Sequence, residues 1–496
     1  MNNKIGLMMA GTAAAVAGCT FLPSVGPDYE RKEVEVGEHV LVDAGMPTTN
    51  LTSSLEYAPA EGEADTRVEI GTNTVSSWWT SFDDELLSEL VDSAVSNNLS
   101  FLMAQERLIA ARWRLMGSYS AFLPTLTGSA GATRNEFGKN SSTMVSTGSK
   151  LHRDVFQGGF DATWEIDIFG GNRRATEAAR AEAEAADWSL ADTWVTLTSE
   201  VGTEYIALRT VQQRIEVART NLVLQSETYD ILKSRLDSGI GDELAVNQSK
   251  YIVDQTRAAI PQLLAQEESL KNALAILTGE VPGALDAKLA ECPDRDWLPV
   301  PGKLAEAPLN MIRNRPDVRA AERKLAAEVA YVGVAESAWF PRLFINGSIG
   351  LNATHPQKLF ERDSLVGSIG PAVSWPLFQG GNVYASVKAE EARMNEAALA
   401  YELAVHNACA EVRNAYAAYT QEYHRYQALE GAVKAAQDAV DISKDLYKNG
   451  LRDFTAVIDA QRSLLSLAEA RVVSRGTITQ NAIALYKALG GGISAE

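Results

Sequence analysis

The chain is written twice, and this constrains its fold more than any other feature. Ser120-Ala121-Phe122-Leu123-Pro124 returns as Ser337-Ala338-Trp339-Phe340-Pro341. Trp164 followed by Ile168-Phe169-Gly170-Gly171-Asn172 returns as Trp375 followed by Leu377-Phe378-Gln379-Gly380-Gly381-Asn382. Ser238-Gly239-Ile240-Gly241-Asp242 returns as Asn449-Gly450-Leu451-Arg452-Asp453. Three matches in one order at a nearly constant spacing indicate an internal duplication.

Each half has the same plan. Residues 82–281 form a first repeat and 304–491 a second, joined by a proline-rich linker over 282–303. A helical stretch opens each repeat and ends at Pro124 or Pro341, because proline cannot continue a helix. Two strands follow, expected at about 124–134 and 155–169 in the first repeat and 341–353 and 364–378 in the second. Two long helices complete each repeat. Residues 172–237 hold no proline and one glycine, Gly202. Apolar residues recur there at helical spacing: Val195, Leu197, Val201, Tyr205, Leu208, Val211, Ile215, Leu222. Such a run spans about 100 Å at 1.5 Å per residue, a length that coiled-coil packing explains and a compact domain does not. A rod or filament remains the alternative for the helices alone.

The first 18 residues read as a secretory signal, with Lys4 before the short apolar run Ile5 to Val16. The run ends in Val16-Ala17-Gly18-Cys19, which resembles a bacterial lipobox. Cleavage would leave Cys19 as a lipid-bearing N-terminus, and residues 19–81 as an extended lead-in. An ordinary signal with a chance cysteine is the plainer alternative. No later segment has about 18 consecutive apolar residues, so any bilayer crossing would need a closed β-barrel.

The strands fit that requirement. From Phe160 to Ile168 every even position is apolar and every odd one polar, and alternate side chains point to opposite faces. One face would suit lipid, with Trp164 and Trp375 as candidates for an aromatic girdle. The other would line a wet lumen with Asp161, Glu165 and Asp167. A half-buried strand of a soluble sheet shows the same pattern. The second-repeat strands alternate less cleanly, and Pro371 and Pro376 call for unpaired or terminal positions. Four strands cannot close a barrel, since single-chain barrels begin at eight. Two copies would supply eight strands and three would supply twelve.

Composition excludes several classes. With 45 Lys+Arg against 64 Asp+Glu the net charge is −19, a poor basis for binding nucleic acid. Three cysteines cannot build a disulfide framework, and Cys292 and Cys409 are expected to be inert. The five histidines show no paired metal spacing, and no nucleophile–base pair or phosphate loop appears. No enzyme, metal or cofactor is expected.

Several motifs carry a family resemblance. They are Gly26-Pro27-Asp28-Tyr29 after the lipobox, Trp78-Trp79 before Phe82, Arg315-Pro316-Asp317-Val318-Arg319-Ala320-Ala321-Glu322, Leu446-Tyr447-Lys448-Asn449-Gly450, and Asp459-Ala460-Gln461-Arg462-Ser463-Leu464. With them the chain resembles the TolC family of outer-membrane channels, in its lipoprotein branch (OprM/CusC/NodT-like). The resemblance implies a mixed α and β fold. Three chains would form a 12-stranded membrane β-barrel, continuous with a long periplasmic α-helical coiled-coil barrel. It implies the exit duct of a tripartite efflux pump in the outer membrane of a Gram-negative bacterium, passing small molecules such as drugs. The partners implied are two further copies, a periplasmic adaptor protein, an inner-membrane transporter of the RND type or similar, and outer-membrane lipid. Thr20 after the cysteine agrees with outer-membrane sorting.

The resemblance also places a periplasmic gate at Thr455, Asp459 and Arg462, which share one helix face. Thr455 stands where relatives carry leucine, and Ala456 where TolC has one of two aperture aspartates. A solvated ion pair between Asp459 and Arg462 is the plainer alternative. Gly239, Ile240, Gly450 and Leu451 would face the adaptor. Asp242 and Asp453 are read as helix caps. A type I protein-secretion duct, or a non-channel periplasmic coiled-coil lipoprotein, remain the other readings.

Overall fold

The computed structural model describes residues 24–30, 77–136, 152–290, 312–449 and 451–491. Cys19, Gly450, the signal segment, Cys292 and most of the lead-in and linker lie outside them. After a 3-10 turn at Trp78–Phe82 come helices α1 (Glu85–Asn97) and α2 (Leu99–Ser118), then strands β1 (Thr125–Glu136) and β2 (His152–Ile166). Next are α3 (Gly171–Asp237), α4 (Glu243–Leu277) and the short α5 (Asp286–Leu289). The second repeat gives α6 (Pro316–Ser337), β3 (Arg342–Ala353), β4 (Leu365–Ser374), α7 (Asn382–Lys448) and α8 (Phe454–Ala488).

The duplication is kept to the residue in the long helices. Both α3 and α7 have 67 residues, and both α4 and α8 have 35. Their ends are closed alike. At the end of α3 the Gly239 N–H bonds the Leu236 carbonyl and the Ile240 N–H bonds the Arg235 carbonyl. This paired termination needs a left-handed residue, and Gly239 supplies φ +76°. The Leu451 N–H reaches the Leu446 carbonyl in the same way at 2.9 Å.

The chain divides into two compact units. One holds the sheet, residues 24–30, and the segments 107–186 and 320–401. Its four strands are antiparallel in the order β1-β2-β3-β4, so β1 and β4 are edges. The register sorts most side chains by polarity, although the Arg134–Asp154 ion pair, Glu136 and His152 fall on the largely apolar face at the ends of β1 and β2 farthest from the helices. Leu126, Phe156, Phe160, Ala162, Trp164, Leu343, Ile345, Ile349, Leu351, Ile369 and Val373 share one face. Thr127, Ser129, Gln157, Asp161, Glu165, Asn346, Ser348 and Ser368 share the other. The second-repeat strands therefore alternate as the first do, with Phe344 the main apolar residue on the polar face. Pro371 sits in an edge strand, where a missing N–H is tolerated, and Pro376 lies past its end.

Both repeats pin their second strand to the preceding helix by an indole. Trp164 Nε1 donates to the Phe122 carbonyl at 3.0 Å, and Trp375 Nε1 to the Trp339 carbonyl at 3.1 Å. The same unit anchors residues 24–30. Asp28 pairs with Arg174 at 2.6 Å, and the Tyr29 hydroxyl donates to Glu322 at 3.3 Å under the Arg323 guanidinium. Burial, with the Glu322 carboxylate beside it, pushes the Tyr29 hydroxyl up to about 12. The Gly26–Tyr29 and Arg315–Glu322 motifs thus meet at one anchoring point.

The other unit is helical and spans residues 77–106, 187–319 and 402–491 among those described. The opening helical stretch is broken at Asn98, whose Oδ1 accepts from the Phe101 N–H at 3.0 Å and whose Nδ2 donates to the Leu277 carbonyl at 2.9 Å. Trp78 stacks on Tyr486 at 6.1 Å and meets Trp79 edge-on at 5.8 Å. The indole of Trp78 lies so close to Gly202 that a Cβ there would run into it. That contact explains the single glycine inside the long helix α3.

Candidate functional site

The first turns of α8, just after the turn from α7, carry the predicted gate residues. Phe454, Val457, Ile458 and Gln461 are the buried side of α8. Phe454, Val457 and Ile458 pack in one apolar cluster with Leu232 of α3 and Ala245, Val246 and Ile252 of α4. Tyr447 meets Phe454 edge-on at 5.2 Å, and the Arg235 guanidinium lies 5.6 Å from the Tyr447 ring. With that face buried, Thr455, Asp459 and Arg462 point outward and are exposed. They do share one face, as their spacing requires. No ion pair joins Asp459 and Arg462 within the chain. The two charges stand free of each other, contrary to a local i,i+3 pair.

The adaptor-facing candidates divide as follows. Ile240 is 73% exposed and Leu451 70%, each as a large apolar side chain at a hairpin tip. Gly239 supplies the turn beneath Ile240. Gly450 lies outside the described residues. The two capping aspartates differ. Asp242 accepts the Leu244 N–H at 3.0 Å. Asp453 has the extended backbone of a cap, but its side chain makes no cap bond, which corrects the expectation for that residue.

Among the strand carboxylates, Asp161 and Glu165 lie on the polar face of β2. Asp167 does not. The strand ends at Ile166, and the Ile168 N–H turns back to the Ile166 carbonyl at 2.9 Å. Asp167 is only 6% exposed and accepts the backbone N–H of Arg173 at 2.9 Å, with the Arg173 guanidinium at 3.5 Å. It closes the start of α3 and lines no lumen.

Sequence reasoning missed the first-repeat counterparts of the gate. Shifted back by the repeat, Thr455, Asp459 and Arg462 become Leu244, Gln248 and Tyr251. Leu244 and Tyr251 are exposed on α4. The repeat offset was the signal that would have found them.

Buried polar networks fix the helix ends of this unit. The Tyr205 hydroxyl donates to Asp84 at 2.7 Å, and the other Asp84 oxygen caps α1 through the Leu87 N–H at 3.0 Å. Arg315 is forked onto Asp317 at 3.0 and 2.8 Å, reaches Glu411 at 2.6 Å, and holds the Ala488 carbonyl at 2.7 Å. Burial opposes its charge, yet these carboxylates hold the guanidinium above its ordinary value. Nearby, burial and the Asp317 charge push the Asp192 carboxyl up. Glu204 is also pushed up, by burial and by Glu200 one turn earlier. No group of three or more metal-ligating side chains gathers among the described residues. No described helix is long and apolar enough to cross a membrane.

Known proteins share this arrangement. The outer membrane efflux protein family model matches residues 90–280 and 308–491. Nodulation protein T of Rhizobium leguminosarum bv. viciae is 30% identical over 431 residues, covering 86% of each chain. The toluene efflux pump outer membrane protein TtgF of Pseudomonas putida is 26% identical, covering 97% of this chain and 95% of its own. The solved outer-membrane channel OprN superposes with a TM-score of 0.81 at 30% identity, covering 94% of this chain and 99% of its own. The fold is that of TolC-like channels, and the protein is an outer-membrane efflux channel, not an enzyme. Matched over both repeats, the chain belongs to the outer membrane efflux protein family.

Proposed function

We propose that three copies close a twelve-stranded barrel and act as the exit duct of a tripartite pump. The observation that carries this reading is the sheet: one apolar face, one polar face and two free edges. A sheet of that kind is stable in a bilayer only when closed, because an edge strand in lipid leaves its outward-pointing N–H and C=O groups unsatisfied. In this reading the apolar face meets lipid, and Asp161 and Glu165 keep the lumen wet and favour cations. Lipidation at Cys19 adds a second hold on the membrane, since one acyl chain alone binds weakly.

At the periplasmic end, Thr455, Asp459 and Arg462 form the gate. Threefold symmetry brings three Asp459 and three Arg462 toward one axis. Like charges within a ring repel, and opposite charges of adjacent rings attract. Small displacements therefore release the closed state. Ile240 and Leu451 dock a periplasmic adaptor, which joins the duct to an inner-membrane transporter of the RND type or similar. The cargo is small molecules, chosen by that transporter. The test is planar-bilayer conductance of detergent-extracted protein of known mass. A unitary conductance from trimers supports the duct. Folded trimers that never insert or conduct contradict it.

A further inference from the structure

The buried seam of the long helices is interrupted at one level above the hairpin tips. Below that level the tip cluster draws on all four helices. Leu232 of α3, Ala245, Val246 and Ile252 of α4, and Phe454, Val457 and Ile458 of α8 are buried together, with Tyr447 of α7 packed against them. Above it, Val211, Ile215 and Ala218 of α3 pack with Leu263 of α4. There Gly476 of α8 lies so close to Thr210 of α3 that a Cβ would strike its hydroxyl. Between Ala218 and Leu232 the single buried residue of α3 is Gln225, while Val223 and Leu224 are exposed. Between Val253 and Leu263 the single buried residue of α4 is Thr256. Residues 427–435 of α7 and 462–471 of α8 include no buried residue.

Gln225 has a hydrogen-bond partner for neither its side-chain oxygen nor its nitrogen. A buried amide left so weakens the packing around it. The backbone is interrupted nearby, once in each hairpin. Pro261 lies inside α4, where it cannot donate to the Arg257 carbonyl and its ring crowds that turn. Gly431 lies inside α7 with open space around it, and an interior glycine loosens a helix. From Glu243 to Pro261 is 18 residues, and from Gly431 to Lys448 is 17. The two interruptions therefore stand at one height, about 26 Å above the tips at 1.5 Å per residue. Proline and glycine are recognised causes of helix bending.

We propose that the hairpins carry a joint at this level, and that the tip below it swings as one four-helix body. Thr455, Asp459 and Arg462 belong to that body, as do Ile240 and Leu451. A force applied at the apolar tips then moves the charged side chains through a rigid core, and the two hairpins stay together at the tip. The joint itself rests on packing within one chain, and its use in gating rests on the reading above.

The test is amide hydrogen exchange of the full chain in detergent. Exchange at 219–228 and 427–435 should be about tenfold faster than at 229–235 and 436–446, nearer the tips. Rates that simply fall with distance from the tips are end fraying and would overturn the joint. Gln225→Leu/Pro261→Ala/Gly431→Ala should slow the joint segments to the tip-side rate, and fast exchange that persists would overturn the assignment to these residues. The same variant should lower the open fraction of single channels severalfold at equal unitary conductance. An unchanged open fraction with slowed exchange would overturn the link to gating. Folded wild-type trimers that never conduct would contradict the duct reading, and the exchange pattern alone would then decide the joint. Arg235 and Tyr447 meet across the two hairpins. In a Cys292→Ser/Cys409→Ser chain, Arg235→Cys/Tyr447→Cys bridged by a short bifunctional thiol reagent should open as the unbridged protein does. Loss of opening on bridging would mean that the hairpins part at the tip, and would overturn the single moving body.

Discussion

The two helical hairpins, α3–α4 and α7–α8, have the same lengths, nearly the same turn and an exposed apolar residue at each tip, Ile240 and Leu451, and differ on the helix that follows. The first shows Ile240, Leu244 and Tyr251 to its surroundings. The second shows Thr455, Asp459 and Arg462 over a buried Phe454, where the first repeat has the exposed Glu243. Turn geometry and buried seam were kept through the duplication because they set the backbone. The outward faces differ in chemistry, as the proposed gate at the second hairpin requires. In the reading proposed above, Ile240 and Leu451 serve the adaptor at both tips, and only the second hairpin adds a charged face suited to a ring of its own copies.

The comparison can be broken at several points. Phe454→Ala should cost about 3–5 kcal/mol, as for other buried phenylalanines, while Glu243→Ala should stay within about 0.5 kcal/mol. Thermal unfolding followed by circular dichroism checks both, and equal shifts would deny the second tip its own core. Gly202→Ala should destabilise by about 1–3 kcal/mol, because the new methyl meets Trp78. The helical preference for alanine offsets only part of that. Asp242→Ala should cost about 0.5–2 kcal/mol through the lost cap. Asp453→Ala should be silent, since its side chain makes no such bond; matched losses would mean that the two turns are capped alike. The smallest effect has the opposite sign. Gly431 on α7 has open space around it, so Gly431→Ala should stabilise by about 1 kcal/mol or less.

Much of this was legible in the residues. The glycine turns at Gly239 and Gly450, and the prolines that close the opening helices, mark where the chain must change direction. The sheet's two faces follow from alternation once the strands are placed. Other features escaped for identifiable reasons. The alternation of β2 runs on through Asp167 and Ile168, although the backbone has already left the sheet in a tight turn. Nothing in the pattern announces that break. Asp453 has the residue type of a cap, and capping also depends on a side-chain rotamer that sequence does not set. The roles of Trp78 and Gly202 are a single contact between residues far apart in the chain. Arg174 and Asp28 form another such pair, and neither position reveals it alone.

The most direct test of the account is single-channel conductance of wild type, Asp459→Ala/Arg462→Ala, and Gln248→Ala/Tyr251→Ala in planar bilayers. The charged tip is the gate in this account, so conductance should rise in the second protein and match wild type in the third. A rise in the third protein without one in the second would contradict the division of labour between the hairpins.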